Sequence, residues 1–176
     1  MSFSSQLSQM IRYKLDEYSQ ETSTDPEVET LEPIFSFQKE KSTIPGIGEF
    51  LIEYFKDREG YHLIMFPFEG RYVHEGMGAL MAYRLGNLEP ITFSIAMNDY
   101  GFELLSDKPI PIEVALDENL FSTQNLQSDI FASINAVEMA RKRFRDIASI
   151  AGLIFRGYPG KFKKERHLQI SSGLIF

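Results

Sequence analysis

The stretch Pro67 to Gly76, PFEGRYVHEG, gathers two carboxylates, an arginine, a histidine and two glycines within ten residues. Such groups could ligate a metal, transfer protons, or simply close a turn and start a helix. A zinc-protease helix needs histidines at i and i+4, so that both imidazoles face one ion, with a glutamate beside the first. His74-Glu75 supplies only the opening: position i+4 is Gly78, and the other two histidines, His62 and His167, lie far away in sequence. No metal site is expected. Paired carboxylates remain, since Glu69, Glu75, Asp99 and Glu103 could meet if two hairpins bring them together, and acid–base work would then need one pKa raised and the other not. A stand-alone small hydrolase would use the cluster of Glu69, His74, Glu75 and Asp99. The same acids serve turns and caps equally well, Glu69 near a helix start and Asn98-Asp99 within a turn. Turn and cap roles outweigh catalysis, so no catalytic residue is assigned; Glu69 and Arg71 are expected to fix the turn, with Arg71 also able to reach a phosphate from a sheet edge.

Phosphate-handling motifs are missing. A phosphate loop requires G-x-x-x-x-G-K-[ST], its amides cradling phosphate and its lysine reaching it. Gly157-Tyr158-Pro159-Gly160-Lys161 has the wrong glycine spacing, and Phe162 stands where a hydroxyl must hold magnesium. Neither a nucleophile elbow nor a dinucleotide-binding glycine fingerprint occurs. The chain carries no nucleotide motor and no cofactor site of its own.

Its charge is unevenly spread. Ahead of Arg141 there are 9 Lys and Arg against 23 Asp and Glu; from Arg141 onward 9 Lys and Arg meet only Asp146 and Glu165. A net charge of −7 thus conceals a basic final fifth, the asymmetry expected where one part of a chain meets a polyanion or another acidic surface. Arg141 and Arg145 stand one helical turn apart, with Arg143 beside them and Phe144 turned to the apolar stripe. Lys161, Lys163, Lys164 and Arg166 follow, interleaved with Phe155, Tyr158 and Phe162, the mixture in which cations meet phosphates and rings stack on bases. A solvated helix balancing an acidic remainder would look similar.

The elements that must position these residues follow from periodicity. Leu7, Met10, Ile11, Leu15 and Tyr18 mark an amphipathic helix over residues 4–20. After a polar linker, Asp25-Pro26 starts a second helix running to Lys41. EFLIEYFKDREGYHLIMFPF reads as two strands joined at Asp57–Gly60, and a helix spans Val73 to Leu85. Strands over Ile91–Ile95 and Phe102–Leu105 flank the Asn98–Gly101 turn, Pro109–Val114 is a proline-bounded edge segment, and a long helix covers Leu126 to Phe155. A further short helix begins near Lys163.

At 176 residues the chain fits one domain able to bury roughly two-thirds of its unfolded surface. Without cysteine it has no disulfide framework and no thiolate site, which suits a reducing compartment; the cytoplasm is the expected location. The first twenty residues carry charges every few positions, unlike a signal peptide or a membrane span.

Three strings, FPFEGRYVHEGMGALMAYRL, ITFSIAMNDYGFELLS and RFRDIASIAGLIFRGYPGKFKKERHLQISSGLIF, resemble the carboxy-terminal, DEAD/H-associated module of large helicase-related (Lhr-type) DEXH-box helicases, of the bacterial branch associated with a DNA ligase. The likeness runs from about Met10 to Phe176. It implies an α+β fold: a curved, partly barrel-like antiparallel sheet built from hairpins, with several flanking helices. Residues 1–24 would be a helix and linker from the preceding helicase domains, and 25–176 the module itself, cut at its carboxy-terminal end. ATP and magnesium would belong to RecA-like motor domains of the parent chain, an ATP-dependent 3′-to-5′ helicase acting in DNA repair. The partners implied are single-stranded DNA or RNA and the motor and winged-helix domains, with Arg71, Arg141, Arg143, Arg145, Lys161, Lys163, Lys164 and Arg166 as strand contacts. A purely protein–protein docking role is the alternative, because an arginine pairs with carboxylate as readily as with phosphate.

Overall fold

The computed structural model describes residues 4–136, 147–148, 150–151, 157–158 and 161–162. Two compact units divide the chain, Met1–Ser122 and Thr123–Phe176.

In the first unit, α1 (Ser5–Ser19) starts where the Ser4 hydroxyl accepts the Leu7 amide proton, a side-chain cap on an otherwise unsatisfied donor. Asp25 caps α2 (Pro26–Thr30) in the same way, through Glu27 N. The single helix expected from Pro26 to Lys41 is two, because α3 (Glu32–Lys41) begins anew after Leu31. Pro33 has no amide proton to give to the carbonyl four residues back, so the helical ladder cannot run through it. Tyr18 of α1 meets Phe35 of α3 with ring centroids 4.7 Å apart.

Strands β1 (Leu51–Lys56) and β2 (Tyr61–Phe66) form the first hairpin, with Leu51 opposite Phe66 and Lys56 opposite Tyr61. Helix α4 (Arg71–Leu88) follows, then β3 (Ser94–Met97) and β4 (Phe102–Ser106). Strand β4 returns between β2 and β3, giving the antiparallel order β1-β2-β4-β3. This sheet is open, with β1 and β3 at its edges, so the barrel-like closure expected from the resemblance is not seen among the described residues, while the α+β class is.

Alternation sets the core. Leu63 and Met65 of β2 and Phe102 and Leu104 of β4 point to one face and are at most 1% exposed, and α4 covers them with Ala79, Leu80, Met81 and Leu85. Burying each of the large side chains contributes about 1.5–3 kcal/mol. Helix and sheet approach closely at Gly78, where a Cβ would stand 3.0 Å from Ile95 Cγ2 and 3.4 Å from the Phe102 ring.

Two further expectations are corrected. The strand foreseen at Ile91–Ile95 starts at Ser94, because Ile91 is drawn into a tight turn in which its N–H reaches Glu89 O at 2.8 Å. Pro109–Val114 is not an edge strand: Pro111, its φ fixed by the ring, is the N-cap residue of a short helix, α5 (Ile112–Asp117), whose Ile112 and Ala115 are buried. Just ahead of that cap, Ile110 N donates to the Tyr54 hydroxyl at 3.0 Å.

In the second unit, α6 (Leu126–Ala136) is the described beginning of the expected long helix; residues 147, 148 and 150 are also helical, and Phe144 lies outside the described residues. On α6 Ser133 is buried, whereas Ile130 and Ile134 are 38% and 47% exposed. Strands β5 (Gly157–Tyr158) and β6 (Lys161–Phe162), within the segment that imitates the end of a phosphate loop, pair antiparallel, Gly157 opposite Phe162 and Tyr158 opposite Lys161. The helix expected near Lys163 lies outside the described residues.

Candidate functional site

The chain leaves β2 at Pro67 and turns into α4 through two residues with positive φ, Phe68 (55°) and Gly70 (86°). Phe68 N–H donates to Tyr100 O at 3.0 Å, tying this exit to the β3–β4 turn. That turn is built on Asn98, whose Oδ1 accepts the Tyr100 and Gly101 amides at 2.8 and 2.9 Å. Asp99 beside it accepts the Arg71 amide at 3.1 Å, placing a carboxylate at the positive end of α4.

His74 sits one turn into α4 and is fully buried. Its Nε2 accepts the Glu69 amide proton at 3.0 Å and its Nδ1 lies 2.7 Å from Asn98 O. An amide can only donate and a carbonyl can only accept, so this network assigns the proton to Nδ1. Both ring nitrogens are therefore spent on backbone groups, leaving neither for a metal nor for proton transfer to a substrate. Glu69 accepts from the Arg12 guanidinium, which also donates to Pro67 O at 2.7 Å, so α1 is clasped to the strand exit. The cluster of Glu69, His74, Glu75 and Asp99 is thus brought together in part, as a knot of turn, cap and helix. No group of three or more metal-ligating side chains occurs among the described residues.

Of the expected strand contacts, Arg71 is an exposed residue opening α4, its amide held by Asp99. Lys161 is placed by its backbone in β6. Arg141, Arg143, Arg145, Lys163, Lys164 and Arg166 lie outside the described residues. Among the described residues no helix is long and apolar enough to cross a membrane.

The sequence reading missed a second knot on the opposite face of the sheet. His62 of β2 is 7% exposed and stacks on Phe55 of β1, centroids 4.8 Å apart and planes 8° from parallel. Its Nδ1 lies 2.5 Å from Glu103 Oε1 on β4, and its Nε2 lies 2.8 Å from Asp57 Oδ1 in the β1–β2 turn. Glu103 first, then Asp57, raise the pKa of His62 above its ordinary 6.5, against the opposing effect of burial. His62, followed by the Glu59 amide, holds Asp57 below its ordinary 3.8. Only the β2–β4 pairing brings Glu103 beside His62, 41 positions away in sequence, and no local pattern reveals that.

Comparison with known proteins agrees with this architecture. Residues 44–176 match the family model described as DEAD/H associated. The chain is 28% identical over 142 residues to ATP-dependent helicase Lhr-Core protein 2 of Thermococcus barophilus, covering 78% of this chain and 16% of that protein. It is 27% identical over 121 residues to ATP-dependent helicase Lhr-Core of Methanocaldococcus jannaschii, covering 69% and 14%. The chain therefore spans about a sixth of the length of these curated relatives. Among solved structures, that of Mycobacterium smegmatis helicase Lhr bound to ssDNA and AMP-PNP superimposes with a TM-score of 0.72 at 20% identity, over 99% of this chain and 24% of that one. With three-quarters of its length in the family model and both curated relatives of one kind, the chain belongs to the DEAD/H associated family, as the helicase-associated module of Lhr-type helicases.

Proposed function

We propose that this chain is a nucleic-acid-binding and scaffolding module of an ATP-dependent 3′-to-5′ helicase of the ligase-associated Lhr branch, serving DNA repair in the cytoplasm. The observation that carries this reading is the family match across residues 44–176 in a sequence with no phosphate loop of its own. ATP and magnesium then belong to RecA-like motor domains elsewhere in the helicase, and the module contributes contacts to a single strand of DNA or RNA. Its basic final fifth, from Arg141 onward, supplies the cations, and cations suit phosphate contacts that hold a strand in register. Arg71, exposed at the start of α4, adds a further cation from the sheet unit.

The assay is twofold. Purified chain is tested for ATP turnover with and without single-stranded DNA, and for binding of a fluorescent single strand at low salt by anisotropy. The reading expects binding without turnover; turnover that follows the protein through stringent repurification would overturn it.

A second reading, docking to the motor and winged-helix domains, is favoured by one feature. Leu31, Ile34 and Phe37, three residues apart along α3 and its cap, are 43%, 64% and 61% exposed, and no residue of α3 is buried. An apolar row of this kind suits protein contact better than a phosphate backbone. Under that reading the isolated chain leaves the single strand unbound even at low salt.

A further inference from the structure

The Asp57–His62–Glu103 knot is not absorbed by strand binding, and its geometry asks for a proton. A neutral imidazole has one N–H and one lone pair, yet both nitrogens of His62 face carboxylate oxygens, at 2.5 and 2.8 Å. Only the doubly protonated ring satisfies both. With one proton lost, a lone pair faces either Glu103 or Asp57, and that side of the bracket becomes repulsive.

The bracket joins two parts of the fold, the β1–β2 turn and β4. Asp57 begins the β1–β2 turn and organises it, accepting the Glu59 and Gly60 amides at 2.7 and 3.3 Å, while Asp57 N–H donates to Gly60 O at 2.9 Å. Glu103 belongs to β4, which is fixed between β2 and β3. The turn lies close against the end of β4: Gly60, at φ 148°, would place a Cβ 2.3 Å from Ser106 O. Glu59 in that turn also lines a cleft of about 350 Å³, together with Ser94, Leu105, Ser106 and Asp107.

We propose that Asp57, His62 and Glu103 form a proton-operated latch, in which the imidazolium ties the β1–β2 turn to β4 and its neutralisation frees the turn and widens the cleft behind Glu59. The charged groups around the ring all enter this balance. Glu103 and Asp57 face it directly; Glu53 shares its face of the sheet from β1 and is held by Gln38 Nε2 at 2.9 Å; Arg58 and Glu59 lie in the turn; Asp107 follows β4. Lys56 is turned to the other face, 4.8 Å above the Tyr61 ring, and supplies no cation to the bracket. Among the described residues of the hairpin and β4, these anions outnumber Arg58 and so favour the protonated ring. The raised pKa of His62 is consistent with this.

The test is nitrogen NMR of the labelled full chain across pH, read at the His62 ring and at the Glu59 and Gly60 amides. The latch requires the ring to titrate above 6.5, and requires protection of those two amides to fall at the same midpoint, on the order of tenfold after correction for intrinsic exchange, while Leu63 and Leu104 stay protected. Glu103→Gln, which keeps the shape and removes the charge, should move both midpoints down together. A ring midpoint at or below 6.5, or amide protection that ignores the ring's titration, overturns the proposal; should the variant fail to fold, the coincidence of midpoints in the unaltered chain decides alone.

Discussion

His74 and His62 are both buried, both beside the same sheet, and both hold a loop to a regular element, but by opposite means. His74 joins a backbone amide to a backbone carbonyl, two partners without net charge that together dictate one tautomer. His62 joins two carboxylates, partners that call for a cation. A buried histidine therefore says little about chemistry until the donor or acceptor character of both its neighbours is known. The first knot is built on backbone groups, the second on charged side chains.

The largest effect expected from breaking this contrast is at His74. Replacing it with Ala leaves the Glu69 amide and the Asn98 carbonyl without their partner and opens a void beneath α4, at a cost of about 3–5 kcal/mol in chemical denaturation. His62→Gln should instead change how stability varies with pH. The raised pKa of His62 contributes stability that is fully present below 6.5 and is lost as pH rises through the folded value, so the unaltered chain should lose more stability towards alkaline pH than the variant does. Asp57 acts at the other end, its lowered pKa contributing stability above 3.8 that is lost as pH falls through its folded value. Thermal melts of both proteins over that range supply the comparison.

Smaller effects come from the groups around the first knot. Asp99→Ala removes the carboxylate that caps α4, an expected loss of about 1 kcal/mol in denaturant midpoints. Glu69→Gln weakens the clasp on Arg12, but the pair is 31% and 39% exposed, so about 0.2–1 kcal/mol is expected, diminishing with added salt.

Much of the first knot was legible in the sequence, because its signals are local: Gly70 before an apolar stripe, Asn98-Asp99 in a turn, His74 without an i+4 partner. The hairpin at Asp57–Gly60 and helix α4 were legible for the same reason. What escaped were consequences of long-range pairing and of single prolines. Nothing local places Glu103 opposite His62, since that needs β4 to enter between β2 and β3. The helix expected from Pro26 to Lys41 ran through Pro33 without weighing it, and Pro111 was read only as bounding an edge segment, although a missing amide proton and a fixed φ make both of them helix starters. Nor does any local pattern show how α1 is held: Arg12 and Asp16 bind it to Pro67, Glu69 and Ile47.

The central claim, that this helicase module holds a single strand through its basic carboxy-terminal segment, is tested most directly by salt titration of strand binding. If phosphates are the partners, log affinity falls linearly with log salt, at about −0.7 per phosphate neutralised, and a slope of roughly −2 to −3 is expected here, because only some of Arg141, Arg143, Arg145, Lys161, Lys163, Lys164 and Arg166 can face one strand. Replacing Lys161, Lys163 and Lys164 with Gln should flatten that slope by about 1 to 2 while leaving sequence preference unchanged. Binding that is absent at low salt, or a slope untouched by the three substitutions, would contradict the account and assign the basic carboxy-terminal segment to carboxylates of a protein partner.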